Sequence, residues 1–513
     1  MTVDTNKKTG IKNAYYKIHL FYLTNILLSA TVINYSFGYH GAKGIDIIFT
    51  SFTLMVLSLF TTTRIFILTP FFILMAIYFP VGYLYGKPSI SIIASMLQTN
   101  HRESFEFIKS LPLECYSLPL IAIIDYILLR KYVWRINSTP FFKYSAVTSF
   151  LVIMVFLSST GKLLKIKQVD FFITAVNSFK DYKTQTNELK NAVIDAKWSI
   201  VHLNKKPEIV LVIIGESMRT DYMSAFGYPL PTTPFLDAVN GTFYRNYVST
   251  APNTFLSLPR SLSLSSGKEI NISYNVVNLS KQAGFETFWL SNQGLMGEFD
   301  TPTSKLAMYS DHIIFLKKGD FESKNTNDDS LLPYLKNIVS SRENNQKTIF
   351  MHIMGSHPQF EDRLNGTKPY FTSPEKDISN YISTYRKTDA FLKSAYNILK
   401  HTNKSFKIIY FSDHGLSERK IGDSLYLRHG QNKKQNYNVP LVILSSEDKS
   451  RVYNDSYKSA FNFISLFANE LNIKVTSPTI SVWDHINEDP EVFDGSTMVS
   501  YGKLGNEPAV VPN

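Results

Sequence analysis

Asp413 and His414 stand side by side at the end of an apolar run, KIIYFSDHG (407–415). Residues 407–411 are rich in β-formers and predict a buried strand. A carboxylate and an imidazole at a strand's C-terminal end sit where open α/β sheets hold their chemistry. Both are metal-ligand types, and Gly415 is expected to permit the turn that aims them into one site. Taken alone, D-H-G is also an ordinary turn. Its weight comes from other stretches that supply the missing parts of a site.

EIVLVIIGES (208–217) is a second apolar run, and it ends in Glu216. A third, 348–354, leads through His352 into Gly355-Ser356-His357, and LRHG (427–430) carries His429. In a parallel sheet these ends converge on one edge. Glu216, Asp413 and His414 then offer two oxygens and a nitrogen. That set suits zinc with a fourth position open, and manganese is not excluded. The hydroxyl-rich loop 249–267 offers a nucleophile. Thr254 opens a helical pattern there, near the positive end of a helix dipole, where a phosphate is stabilised. Metal coordination would lower its hydroxyl pKa. Each residue also has a plainer role. Thr254 can be an N-cap, Glu216 can cap the following helix, and His357 and His429 can be surface loop histidines. His352, inside a strand pattern, reads as structural.

The elements that must position these residues are legible from residue 208 onward. Strands are predicted at 208–217, 286–290, 348–354, 407–411 and 439–444, and helices at 274–283, 331–340, 381–401 and 456–471. Such alternation predicts an α/β/α sandwich with a largely parallel sheet over 208–513. The tail after about residue 489 reads as irregular.

The first third of the chain has a different composition. Apolar stretches occur at 16–35, 45–61, 65–85, 113–129 and 146–159. Each approaches the roughly 20 residues that cross a bilayer. Five spans predict a transmembrane domain over 1–160. Lys7, Lys8 and Lys12, then Arg64, then Arg130, Lys131, Arg135 and Lys143 all fall on one side if the N-terminus is cytoplasmic. Residues after 160 then face the periplasm of a bacterium, although Lys162, Lys165 and Lys167 count against that orientation. Residues 88–110 predict an interfacial helix, and 161–207 an amphipathic bridge. The net charge of +11 suits an anionic membrane or acidic glycan. It is spread along the chain, which disfavours nucleic acid. The one cysteine, Cys115, allows no internal disulfide.

These pieces together resemble the phosphoethanolamine transferases of Gram-negative envelopes, within the alkaline phosphatase and sulfatase superfamily. The resemblance rests on IIGESMRTDYMSAFGYPLPTTPFL (213–236), APNTFLSLPRSL (251–262), HIMGSHPQF (352–360), FSDHG (411–415) and LRHG (427–430), and it covers nearly the whole chain. WLSNQGLMGEFDT (289–301), IFLKKGDFE (314–322) and MGSHPQ (354–359) look most like the subgroup that modifies osmoregulated periplasmic glucans. The resemblance implies an alkaline phosphatase-like catalytic domain with Glu216, Asp413 and His414 as zinc ligands. It implies Thr254 as the nucleophile that completes the zinc shell and becomes phosphorylated. It assigns His357 and His429 to the phosphoethanolamine group and its protons, and Asn292 or Gln293 to the phosphate. Thr99 and Glu103 would hold the donor's ethanolamine head.

The implied reaction moves phosphoethanolamine from phosphatidylethanolamine to a hydroxyl of a periplasmic glucan or lipopolysaccharide. Leu416 stands where lipid A-modifying members carry Glu, and Gly297 lies near the place of a Lys. These departures, with the single cysteine, weigh against lipid A as acceptor. A sulfatase nucleophile motif needs Ser-X-Pro-X-Arg, and Ser257-Leu258-Pro259-Arg260 is one residue short. A phosphoglycerol transferase of the same superfamily and a non-catalytic envelope assembly protein are the alternatives.

Overall fold

The run beginning at 208 forms the central strand β1 (Ile209–Gly215), all of it buried. Its side chains alternate between two cores. Val210, Val212 and Ile214 join one, and Ile209, Leu211 and Ile213 join the other. A strand covered on both faces has no polar side, which is why its sequence is uniformly apolar. The computed structural model describes residues 3–98, 101–109, 111–133, 139–190, 196–203, 205–294, 302–317, 326–341, 345–421, 424–485 and 488–511. They fall into two units, Met1–Ile92 with Ile108–Lys180, and Ile93–Phe107 with Asp181–Asn513.

The second unit holds an eight-stranded sheet. After β1 come β2 (Gly241–Tyr244), β3 (Glu286–Gly294), β4 (His312–Lys317), β5 (Lys347–His352), β6 (Phe406–Ser412), β7 (Leu441–Ser445) and β8 (Arg451–Asn454). The spatial order is β8-β2-β7-β6-β1-β5-β3-β4. Only β7 runs against the rest. It starts at Leu441, two residues later than predicted, because Pro440 has no N–H to give a ladder. Helices Thr254–Leu262, Val276–Gln282 and Phe463–Glu470 cover one face, and Leu332–Val339 and Lys376–Lys400 the other.

Several predicted bounds shift. The helix expected over 381–401 begins at Lys376. The one expected over 456–471 is a short strand and a turn before its helix at Phe463. Strands β2, β4 and β8 were not read from the sequence. Two of them are four residues long, too short for a period-2 pattern. The expected bridge over 161–207 is not one element. It contains the helix Lys167–Lys190 and then the strand Ser199–His202, which pairs with Ile473–Ser477. The expected interfacial helix is two, Ile90–Gln98 and His101–Lys109.

The first unit holds helices Val3–Ser36, Gly44–Ser58, Thr69–Tyr85, Glu114–Val133 and Pro140–Ser159, one for each predicted apolar stretch. Two helical runs, Thr61–Tyr85 and Pro140–Ser159, are long and apolar enough to cross a membrane. Leu20–Ser36 and Gly44–Ser58 are shorter apolar runs. Asp125, Arg130 and Lys131 break the run in Glu114–Val133. The outer surface of this unit is apolar over an apolar core. Ile73, Ile77, Leu120, Ile124, Ile127, Val152 and Phe156 are exposed. Polar groups pair inside, Asn34 with Thr50, Tyr22 with Ser58 and Thr69 with Tyr126. An apolar outside over an inside that holds both apolar packing and paired polar groups is compatible with a lipid surround.

Candidate metal centre and active site

Strand register builds the centre. Ser412 pairs with Gly215 in the parallel β6–β1 ladder, so Asp413 and Glu216 emerge next to one another at the same edge. His414 follows directly. The three offer ligand atoms that all lie within 4.8 Å of one another, and all three are buried. His414 Nε2 is 3.1 Å from Glu216 Oε1 and 3.6 Å from Asp413 Oδ2. Thr254 Oγ1 lies 2.9 Å from Glu216 Oε2 and 3.4 Å from His414 Nε2. Ligands about 2.0–2.1 Å from a tetrahedral zinc stand roughly 3.3 Å apart. The four separations bracket that value.

Two further features fit a cation. Asp413 Oδ2 is buried with no hydrogen-bond partner. His414 Nδ1 sits 2.9 Å from the Gly415 carbonyl, which fixes its proton there and leaves Nε2 as the ligating lone pair. The electrostatics agree. Burial, then repulsion from Glu216, pushes Asp413 up to about 7. Burial would lower His414, but the carboxylates of Asp413 and Glu216 outweigh it and hold the imidazole at about 9. Burial likewise works to raise Glu216, yet the neighbouring His414 holds it well below the usual carboxylate range. The metal-free cluster retains a proton on His414 in place of a cation.

The alternatives left open at Thr254 and Glu216 resolve. The helix cap is Asn253, whose side chain accepts from the Leu256 amide, so Thr254 is the first helical residue and its hydroxyl does not cap. It is only half-buried, unlike the cluster behind it. The Glu216 carboxylate faces Asp413 and His414 and caps nothing. Gly415 has a different role from the one expected. It is not left-handed, but a Cβ there would meet the Gln435 carbonyl oxygen at 2.1 Å. The left-handed residue is Ser217 (φ 59°), whose hydroxyl donates to Glu216 Oε1 at 2.6 Å. Gly415→Ala should therefore push the Asp413–His414 turn off the 435–436 turn. We expect a loss of about 1–3 kcal/mol, the usual cost of overpacking. Chemical denaturation checks it, and an unchanged midpoint would contradict it.

His429 joins the centre, its ring 5.0 Å from that of His414. Its residue surface is partly open, yet Nδ1 is buried without a partner. Burial, helped by the charges of His414 and His357, pulls its pKa down to about 3. His357 lies near enough to act electrostatically on both Glu216 and His429. His352 is buried in β5 with its pKa pulled down to about 4, a core histidine as read.

Asn292 and Gln293, expected at the phosphate, hold a turn with their side-chain amide nitrogens. Strand β3 runs on to Gly294 and carries both past the expected end. Asn292 Nδ2 donates to the Thr326 carbonyl (2.8 Å) and Asp328 Oδ1 (2.7 Å), and Gln293 Nε2 to the Ile353 carbonyl (3.0 Å). Asp328 in turn accepts the amides of Met354 and Gly355, in the turn that leads to His357. Thr99 and the side chain of Glu103 lie outside the described residues, as does Gly297. Sequence reading missed the supports of Asp413, whose carbonyl accepts from the hydroxyls of Ser249 and of Ser257 (2.6 Å). Their only signal was the density of hydroxyls in 249–267.

Sheet order and site together define an alkaline phosphatase-like catalytic domain. The sulfatase family model matches residues 208–472. Phosphoethanolamine transferase OpgE of Escherichia coli (strain K12) is 32% identical over 421 residues, 78% of this chain and 80% of that protein. A putative phosphoethanolamine transferase of Haemophilus influenzae is 32% identical over 378 residues, 70% of this chain and 76% of that one. Among solved structures, the lipooligosaccharide phosphoethanolamine transferase EptA of Neisseria meningitidis aligns with a TM-score of 0.57 at 17% identity, over 89% of this chain and 96% of that one. The periplasmic domain of EptC from Escherichia coli, in complex with zinc, aligns with a TM-score of 0.53 at 21% identity, over 61% of this chain and 98% of that domain. The chain belongs to the sulfatase family and, within it, to the phosphoethanolamine transferases.

Proposed function

We propose that the protein transfers phosphoethanolamine from phosphatidylethanolamine to a hydroxyl of an envelope glycan, a periplasmic glucan or lipopolysaccharide, through a phospho-threonine at Thr254. The carrying observation is the half-buried Thr254 hydroxyl, 2.9 Å from Glu216 Oε2 and 3.4 Å from His414 Nε2. Glu216, Asp413, His414 and Thr254 would hold zinc. Bound zinc supplies Lewis acidity that lowers the threonine pKa and neutralises phosphoryl charge. Thr254 Oγ1 attacks phosphorus, and the bond from phosphorus to the glycerol oxygen breaks. Diacylglycerol leaves once that oxygen takes a proton. The acceptor hydroxyl then attacks the phospho-threonine and restores Thr254. His357 and His429 stand beside the cluster as the groups that carry protons to the leaving oxygen and from the acceptor. The threonine begins a nine-residue helix, whose positive end favours the phosphorylated state.

The first unit is read as five membrane spans with a cytoplasmic N-terminus, which sets the catalytic unit in the periplasm of the inner membrane. The apolar outer surface of that unit supports the reading. Purified protein in vesicles that hold head-group-labelled phosphatidylethanolamine tests the donor. Label should move to added glucan with one diacylglycerol released per transfer. Turnover of phosphatidylglycerol instead would select the phosphoglycerol transferase reading.

A further inference from the structure

The turns that follow the three site-bearing strand ends are tied together by one late segment, residues 505–510. Beyond Glu216, the buried Arg219 guanidinium donates to the Glu507 carbonyl (2.7 Å), and Asp221 Oδ2 accepts the Ala509 amide (2.9 Å). Beyond His414, the Glu418 amide donates to Glu507 Oε2 (2.8 Å). Beyond His429, the Glu507 amide donates to Gln435 Oε1 (2.9 Å), and Lys433 Nζ lies 3.3 Å from Glu507 Oε1. The Lys434 amide donates to the Gly505 carbonyl (2.8 Å). Glu507 thus touches the turns after Glu216 and His429 and the hairpin strand after His414, through its backbone and both carboxylate oxygens.

The two turns bearing metal-ligand residues have another fixed frame. Glu216 and Asp413 leave adjacent, registered strands of the central sheet. His429 does not. It follows a two-stranded hairpin, Ser417–Ile421 with Ser424–Arg428, outside that sheet. We infer that Glu507 is a positioning residue whose carboxylate sets His429 against the zinc-ligand cluster by tying Lys433, in the 431–436 turn, to the hairpin strand that follows His414, while its backbone links that turn to Arg219. This inference rests on the proposed transfer reaction for its kinetic consequence, but not for its structural one.

The test uses the full chain in detergent or nanodiscs, with Glu507→Ala and Glu507→Gln compared with the unchanged protein. Three readouts are taken: kcat and KM normalised to folded protein, zinc affinity by competition, and amide hydrogen exchange. In Glu507→Ala we expect exchange to speed up in 429–436 and not in β1 or β6. We expect kcat to fall about tenfold with KM and zinc affinity within about twofold of the unchanged protein, a loss in the range seen for outer-shell partners. Glu507→Gln keeps an acceptor for the Glu418 amide and should recover at least half of the loss. Unchanged exchange in 429–436 would overturn the inference, even if the protein has no transfer activity. So would zinc affinity falling in step with kcat, or a kcat loss fully accounted for by unfolded protein. Faster exchange in 429–436 from a protein without any transferase activity would support the positioning role and overturn the transfer reading alone.

Discussion

Thr254→Ala should abolish transfer, with kcat down by roughly 10⁴-fold or more, the scale on which removing a covalent nucleophile acts. The fold should be unaffected, because Asn253 and not Thr254 caps the helix and the Thr254 side chain is half-exposed. Removing it also removes the donor that Glu216 Oε2 accepts at 2.9 Å. Metal affinity should therefore fall only modestly, with Glu216, Asp413 and His414 left in place. Thr254→Ser keeps the oxygen but loses the β-branch that restricts χ1, so it should retain measurable activity. The check is a head-group transfer assay beside a zinc titration of each variant. Alanine activity within tenfold of the unchanged protein would remove Thr254 from the reaction.

Asp413→Asn should have the second large effect, in two opposite senses. Outer-shell partners of metal ligands cost about 10–100-fold in affinity when lost, so a direct ligand should cost at least that. Without metal, however, the same substitution should help the fold. Asp413, at about 7, and His414, at about 9, both sit above their values in an unfolded chain. The folded state therefore holds those protons more tightly. The metal-free protein should lose stability as pH rises from about 4, the unfolded aspartate value, toward 9. Glu216 is shifted the other way, and its contribution is lost only in acid. Zinc held by these residues would take the place of the protons, so zinc affinity should rise with pH between 6 and 8. Thermal unfolding at pH 6 and pH 8, with and without zinc, reads all of this. The unchanged protein should melt lower at pH 8 than at pH 6 without zinc, and zinc should raise it. Asp413→Asn should show a shallower pH slope and almost no zinc increment. Equal zinc increments in both proteins would show that the metal is held elsewhere.

Where the sequence was readable, a single physical rule had written it. β1 and the 408–411 part of β6 are buried on both faces, so they are apolar runs, and the polar residues that follow each mark the sheet edge. That rule located Glu216, Asp413 and His414. The parallel register then fixed their proximity. The regions that were not readable involve contacts with no local pattern. Asn253 and Thr254 are both acceptable caps, and only the bond to the Leu256 amide separates them. The bonds of Asn292 to Thr326 and Asp328 had no local signal, because those partners lie more than thirty residues away. Ser217 adopts a left-handed backbone that its residue type does not announce. The tail read as irregular from its composition, yet Glu491–Phe493 and Met498–Ser500 pair there as a short hairpin, followed by a turn of helix at Tyr501–Lys503. Much of its order lies in backbone amides and carbonyls, which composition does not encode. In the first third, apolar runs located five helices. Among the described residues, Thr61–Tyr85 and Pro140–Ser159 satisfy length and composition together; Leu20–Ser36 and Gly44–Ser58 are shorter, and Asp125, Arg130 and Lys131 interrupt the fourth helix.

The central claim is that Thr254 carries the phosphoethanolamine group between donor and acceptor. Peptide mass spectrometry of zinc-loaded protein, exposed to phosphatidylethanolamine without acceptor, tests it most directly. The predicted result is a phosphoethanolamine adduct on Thr254, absent from Thr254→Ala and discharged when a glycan acceptor is added. An adduct on another residue, or transfer to acceptor by a protein that never carries one, would contradict it.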